Sequence, residues 1–169
     1  MSTIDLMVLH VPEDPDWLRA FGRVAIVHAH LEHVLRMFIK TLANVTIEDA
    51  LDATERETSS SLRDRAKKIA RQRLGEGAPL IRVQALIARC KRATDQRNEL
   101  IHNIIGSDWR GTKPAVFITG RKWGPLPTVA DLTTLEANIG QLITDINHAR
   151  IGGWLAVALA ERPPTKATG

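Results

Sequence analysis

From Asp16 to Ala43 apolar side chains return every three or four residues: Leu18, Phe21, Val24, Leu31, Leu35, Phe38, Ile39 and Leu42, with His28 in step. A helix completes a turn in about 3.6 residues, so this spacing lines up one buried face. A strand alternates faces at every residue and makes no use of it. The same period recurs three more times, which confines the chain to packing helix against helix. Asp14 followed by Pro15 marks the first helix start, a cap with proline in the first turn. The second helix follows "TSSS" and runs from about Leu62 to Leu74, stopped by Gly75 and Gly77, with a weaker turn before it around Ile47 to Leu51. The third runs from near Pro79 to about Ile105 and ends at Gly106. The last runs from about Val129 to Glu161, opened by Thr128 and Asp131 in a capping-box pattern and bent near Gly152 and Gly153.

Between the third and fourth helices lies "SDWRGTKPAVFITGRKWGPLPT", whose three glycines and three prolines rule out a helix. "AVFIT" followed by "GRKW" predicts a short two-stranded excursion or an ordered loop. The expected architecture is all-α: an up-and-down four-helix bundle with a long irregular or β-hairpin insertion. The chain of 169 residues suits one domain, with a helical core over about 16–161 and a disordered tail over about 162–169. There is no alternating βα pattern, no GxxxxGK and no GxGxxG, which excludes a P-loop or Rossmann-type enzyme. No apolar stretch reaches the length of a membrane span, and "MSTIDLMVLHVPEDP" carries no basic leader, so a cytoplasmic protein without a secretory signal is expected. The single cysteine excludes an internal disulfide or a cysteine-rich zinc site, and Cys90 reads as a buried filler in a reducing compartment. A net charge of +4 suits an anionic partner, though mildly.

"DQRNELIH", Asp95 to His102, interrupts the apolar third helix. At about 100° per residue, Val83, Leu86, Ile87, Cys90, Ile101 and Ile104 share one arc, and Arg97 projects from inside it. An unpaired cation there costs several kcal/mol to desolvate, so Arg97 must meet a carboxylate, reach an opening or face another subunit. Asn98 and His102 stack on one side of the helix, four residues apart. Arg97 and His102 stand about 140° apart around the axis, too wide for one face, but a guanidinium on its long stem can swing toward the same cleft. The bland alternative is a snorkelling arginine beside a satisfied structural histidine.

Arg97, Asn98 and His102, within "RNELIH" late in the third helix, resemble the signature of the HEPN superfamily, helical domains directed at nucleic acids. That signature is an arginine and a histidine separated by four to six residues, usually with a polar residue directly after the arginine. "HAHLEHVLRMFI" is similar to the family's long opening helix, and the helix count fits from about Asp16 to Glu161. Many members place glycine after the histidine, where this chain has Asn103. The resemblance implies a metal-independent RNA endonuclease with no cofactor, acting as a homodimer, in the setting of a toxin or phage-defence effector restrained by an antitoxin-like protein. It makes Arg97, Asn98 and His102 the catalytic candidates. Histidine titrates near neutral pH, and arginine offers a planar fork matched to phosphate oxygens. The alternative is a non-catalytic helical module that binds RNA, a nucleotide or a protein.

Secondary candidates for substrate binding come from three places. "LRDRAKKIARQRL" carries Arg63, Lys67 and Arg71 among six cations against one acid, either a path for a phosphate backbone or a solvated face. In the insertion, Trp109, Phe117 and Trp123 interleave with Arg110, Lys113, Arg121 and Lys122, so Arg110 and Trp123 are candidates for contacting single-stranded RNA. Such aromatics also serve to pin an insertion onto its own bundle. No metal site is expected: His28 and His30 point about 200° apart on a helix, and His28 with Glu32 makes at most two ligands. Glu32, near the apolar edge of the first helix, is the third candidate, and also the expected ion partner of Arg97.

Overall fold

The computed structural model describes residues 7–9, 11–108, 116–119 and 122–162. The elements follow as β1 (Met7–Leu9), α1 (Pro15–Ala43), α2 (Ile47–Thr54), α3 (Ser59–Leu74), α4 (Ala78–His102), β2 (Ile104–Asp108), β3 (Val116–Thr119), β4 (Lys122–Pro125), α5 (Val129–Arg150) and α6 (Trp154–Ala160). The chain is thus mostly helical, and local chemistry sets most of its helix ends. The Asp14 carboxylate accepts from the backbone N–H of Asp16 and Trp17 ahead of Pro15. At the far end of α1, Asn44 takes the left-handed conformation and its N–H donates to the Lys40 carbonyl. Thr58 caps α3, and Thr128 with Asp131 forms a reciprocal capping box at the start of α5.

Helix α1 packs on α5, α3 and α4, and α4 packs in turn on α3 and α5. The apolar stripes meet in one cluster running from Trp17 to Leu159, with Leu31, Leu35, Phe38, Leu62, Ile87 and Ile139 among its fully enclosed members. Trp17 is buried there, and its indole N–H donates to the Pro127 carbonyl at 2.7 Å, fastening the start of α1 to the segment entering α5. Cys90 is enclosed, and burial pushes its thiol up to about 12, which keeps it protonated and inert. Among the described residues no helix is long and apolar enough to cross a membrane.

Four expectations need correction. Helix α4 stops at His102 rather than near Ile105, because residues 104–106 leave it to pair as a strand. Ile104, Ile105 and Gly106 lie opposite Ile118, Phe117 and Val116 of β3, while Gly106 also faces Leu9 of β1. Two flanking strands satisfy this backbone, and β-branched Ile104 and Ile105 suit a pleated surface. The insertion is accordingly more than a hairpin: β1 to β4 form an antiparallel sheet in that order, drawing its first strand from the beginning of the chain. Ile104, placed on the buried arc by the helical wheel, is instead about half exposed. The last helix, expected to bend, breaks into α5 and α6 at Ile151–Gly153. The expected disordered tail lies, apart from Arg162, outside the described residues.

The break at α6 depends on one missing atom. A Cβ on Gly153 would fall 2.0 Å from the His148 carbonyl oxygen, so the backbone closes against the end of α5 only because none is there. Gly153→Ala is expected to lower stability by about 1–3 kcal/mol, the usual range for forced overpacking. Thermal unfolding checks this as a drop of about 2–10 °C in midpoint, with secondary structure retained.

Candidate active site

The buried stripe of α4 runs Val83, Ile87, Cys90 and Thr94, and the next turn on that line brings Arg97. Arg97 is half-buried, as the helical wheel requires. Its Nη1 donates to the Asn98 side-chain oxygen at 3.0 Å, and its Nε is buried without a hydrogen-bond partner. Among the described residues it makes no ion pair. The expected pairing with Glu32 is therefore not made. Glu32 instead accepts a hydrogen bond from the Ser59 hydroxyl and stands 3.9 Å from Nδ1 of His28. The start of α3 delivers Ser59 to this carboxylate, and the neighbouring turn of α1 delivers His28, so nearer partners hold it.

Behind Arg97 the bundle encloses a polar layer. The Thr94 hydroxyl donates to the Cys90 carbonyl at 2.9 Å, one turn back in its own helix. It also lies 3.1 Å from His28 Nε2 of α1 and 3.3 Å from Arg63 Nη1 of α3. With its single proton spent on Cys90, the oxygen can only accept from the other two. His28 must then carry its proton on Nε2, leaving Nδ1 bare toward Glu32. Burial is the chief cause holding the His28 pKa below its ordinary value; Glu32 opposes, while the charges of Arg97 and Arg63 push it further down. His28 is thus a neutral imidazole that is 2% exposed.

His102 sits elsewhere. It is the last residue of α4 and is exposed, about 7.5 Å along the axis from Arg97. Asn98, half-buried, lies between the two levels. No hydrogen bond or ion pair joins His102 to Arg97 within one chain among the described residues. Directly beyond His102, Asn103, Ile104 and Ile105 form one wall of an apolar groove of about 460 Å³, whose other walls include Leu9, Val11 and Leu18. Leu9 is 67% exposed and Val11 71%, an unusual display for adjacent large apolar residues. Leu18, expected in the core stripe, opens into this groove.

The secondary candidates divide. Arg63 does not belong to a solvated basic face: it is 8% exposed and points at Thr94. Lys67 and Arg71 are exposed, with Lys67 3.9 Å from Asp64. Arg65 is held by Glu57, and Arg73 donates to the Leu42 carbonyl at 2.8 Å, so the cations of α3 do not form one continuous track. Trp123 lies in β4 opposite Ile118 of β3. Trp109, Arg110, Lys113 and Arg121 lie outside the described residues. Sequence reasoning missed the Thr94 junction; the signal was a threonine four residues after Cys90 in the core line of α4.

A larger cleft of about 710 Å³ opens between α4 and the α5–α6 break. There Arg82 lies over the Trp154 ring at 4.1 Å, and Arg89 pairs with Asp145 at 2.7 Å. None of Arg97, Asn98 and His102 lines it. Among the described residues no group of three or more His, Cys, Asp and Glu side chains is gathered for a metal ion. Comparison of the chain with protein-family models, curated proteins and solved structures gives no match.

The buried imidazole has a pH consequence. The unfolded chain binds a proton at His28 near the ordinary value of about 6.5, whereas the folded chain resists it. Folding stability from this group is therefore complete above that pH and declines as pH falls toward the depressed folded value. The loss is at most about 1.4 kcal/mol per pH unit. Thermal midpoints measured from pH 8 to pH 5 are expected to fall on the acid side, and His28→Asn, which cannot charge, to show a shallower fall.

Proposed function

We propose that the chain is a HEPN-type RNA endonuclease, a four-helix up-and-down bundle that cuts without a metal or cofactor at a site shared by two copies. The observation that carries the reading is Arg97: a half-buried guanidinium with no carboxylate partner among the described residues and an orphaned Nε, on the same helix as an exposed terminal histidine. A structural arginine at such a position answers to an acid or to a backbone carbonyl, as Arg73 does with Leu42. An arginine kept for phosphate does not.

In this mechanism RNA supplies its own nucleophile. His102 of one copy removes the 2′-hydroxyl proton, and the oxygen attacks the adjacent phosphorus. Arg97 neutralises the crowded phosphorane through paired N–H bonds. The bond to the 5′-oxygen breaks, and a protonated His102 from the second copy gives that oxygen a proton. The products are a 2′,3′-cyclic phosphate and a 5′-hydroxyl. One histidine per motif leaves acid and base incomplete in a single chain, and the apolar groove beside His102 is the surface on which a second copy would bury Leu9, Val11 and Ile104. The resemblance supports the setting of a toxin or phage-defence effector with a neutralising protein partner. A second reading, a non-catalytic module for RNA or a nucleotide, draws on the Arg82–Trp154 cleft, whose cation and indole suit a base and its phosphate.

RNA digestion in excess chelator by the wild type and by His102→Ala separates the two. The wild type is expected to leave cyclic phosphate ends, and the variant to lose about 100-fold or more in rate while remaining a dimer. An unchanged rate removes His102 from catalysis. Ile104→Asp is expected to yield monomers on sizing and to lose cleavage together with the dimer; a dimeric, active Ile104→Asp protein would rule the groove out as the interface.

A further inference from the structure

Cleavage by Arg97 and His102 makes no use of Arg63, yet Arg63 is more than nine-tenths buried and, among the described residues, donates one hydrogen bond, to Thr94. A guanidinium offers five N–H donors and a full charge, and enclosing it without a counterion is costly. Among the described residues Arg63 makes no ion pair, and neither does Arg97. Arg63 and His28 both meet the Thr94 hydroxyl, and Arg97 follows Thr94 by three residues on the same face of α4, so both guanidiniums lie beside the His28 ring, whose pKa their charges lower. The carboxylate that also bears on that ring is Glu32, engaged by Ser59. Two arginines against one glutamate, with His28 neutral, leave the layer one positive charge in excess. The buried Nε of Arg97 adds a donor with nothing to receive it.

We infer that Arg63 of α3 and Arg97 of α4 form one anion site that takes a single phosphodiester group of RNA, with Thr94 holding Arg63 in place. A phosphodiester carries one negative charge, which balances the excess, and its oxygens accept from paired N–H groups. Arg97, half-buried, provides the opening, and Arg63 forms the floor. The RNA in this statement rests on the nuclease reading; the anion site does not.

The test titrates the full-length protein with inorganic phosphate at constant ionic strength and follows the thermal midpoint. It also measures binding of a 2′-O-methyl RNA oligonucleotide, which lacks the attacking hydroxyl and stays uncut. Wild type is expected to be stabilised by phosphate and to bind the oligonucleotide. Arg63→Gln keeps a donor for Thr94 and is expected to weaken both by about tenfold or more. Arg19→Gln, which removes an exposed charge paired with Asp16, is the control expected to match wild type. Should Arg63→Gln fail to fold, Arg63→Lys retains the charge without the fork and is expected to lose at least about threefold. A wild type indifferent to phosphate, or Arg63 variants with wild-type affinity for either probe, overturns the inference. If Arg63→Gln loses binding as expected but wild type cuts no RNA, the anion site stands and the nuclease reading falls. If wild type cuts RNA while Arg63→Gln binds both probes normally, the reverse holds.

Discussion

Three helices meet at the hydroxyl of Thr94. His28 reaches it from α1 and Arg63 from α3, while its own proton goes to the Cys90 carbonyl within α4. Inside an apolar bundle such a junction is exacting, because a donor left unmatched there costs about 1–3 kcal/mol. It fixes how far each helix can slide past the others, and it determines the tautomer of the imidazole. It also places a guanidinium where an apolar side chain would pack as well. The polar layer thus sits against the core on one side and the half-buried Arg97 on the other.

A neutral histidine beside two arginines makes physical sense when the local excess of positive charge has a use. Were His28 protonated, three cations would crowd one enclosed space against Glu32 alone. Burial prevents that and keeps the surplus on the two guanidiniums. The other residue of the motif, His102, stands apart at the exposed end of α4, open to solvent. In the proposed enzyme, binding and proton transfer fall at different depths of one helix.

How much of this was legible in the sequence depends on whether its cause was local. The Asp14–Pro15 start, the Thr128–Asp131 box and the half-burial of Arg97 follow from neighbours within a turn or two, and each was readable. The end of α4 was not, because residues 104–106 answer to strands distant in sequence on both sides. Nor was the partner of Glu32, since Ser59 reaches it only after α1 and α3 have packed. Arg63 was readable in principle: it precedes Ala66, Ala70 and Leu74 at helical spacing and so belongs to the buried face of α3. The density of cations around it concealed that, because a run of like charges usually faces water.

The central claim is that positive charge around Arg97 is kept for an anion rather than for holding the helices together. The thermal midpoint of Arg97→Met at neutral pH in phosphate-free buffer tests this most directly, since methionine refills the stem and removes the uncompensated charge. A midpoint equal to or above that of the wild type agrees with a binding guanidinium retained at some expense of stability. A fall of many degrees would mean that Arg97 is a structural strut, and the account would be wrong.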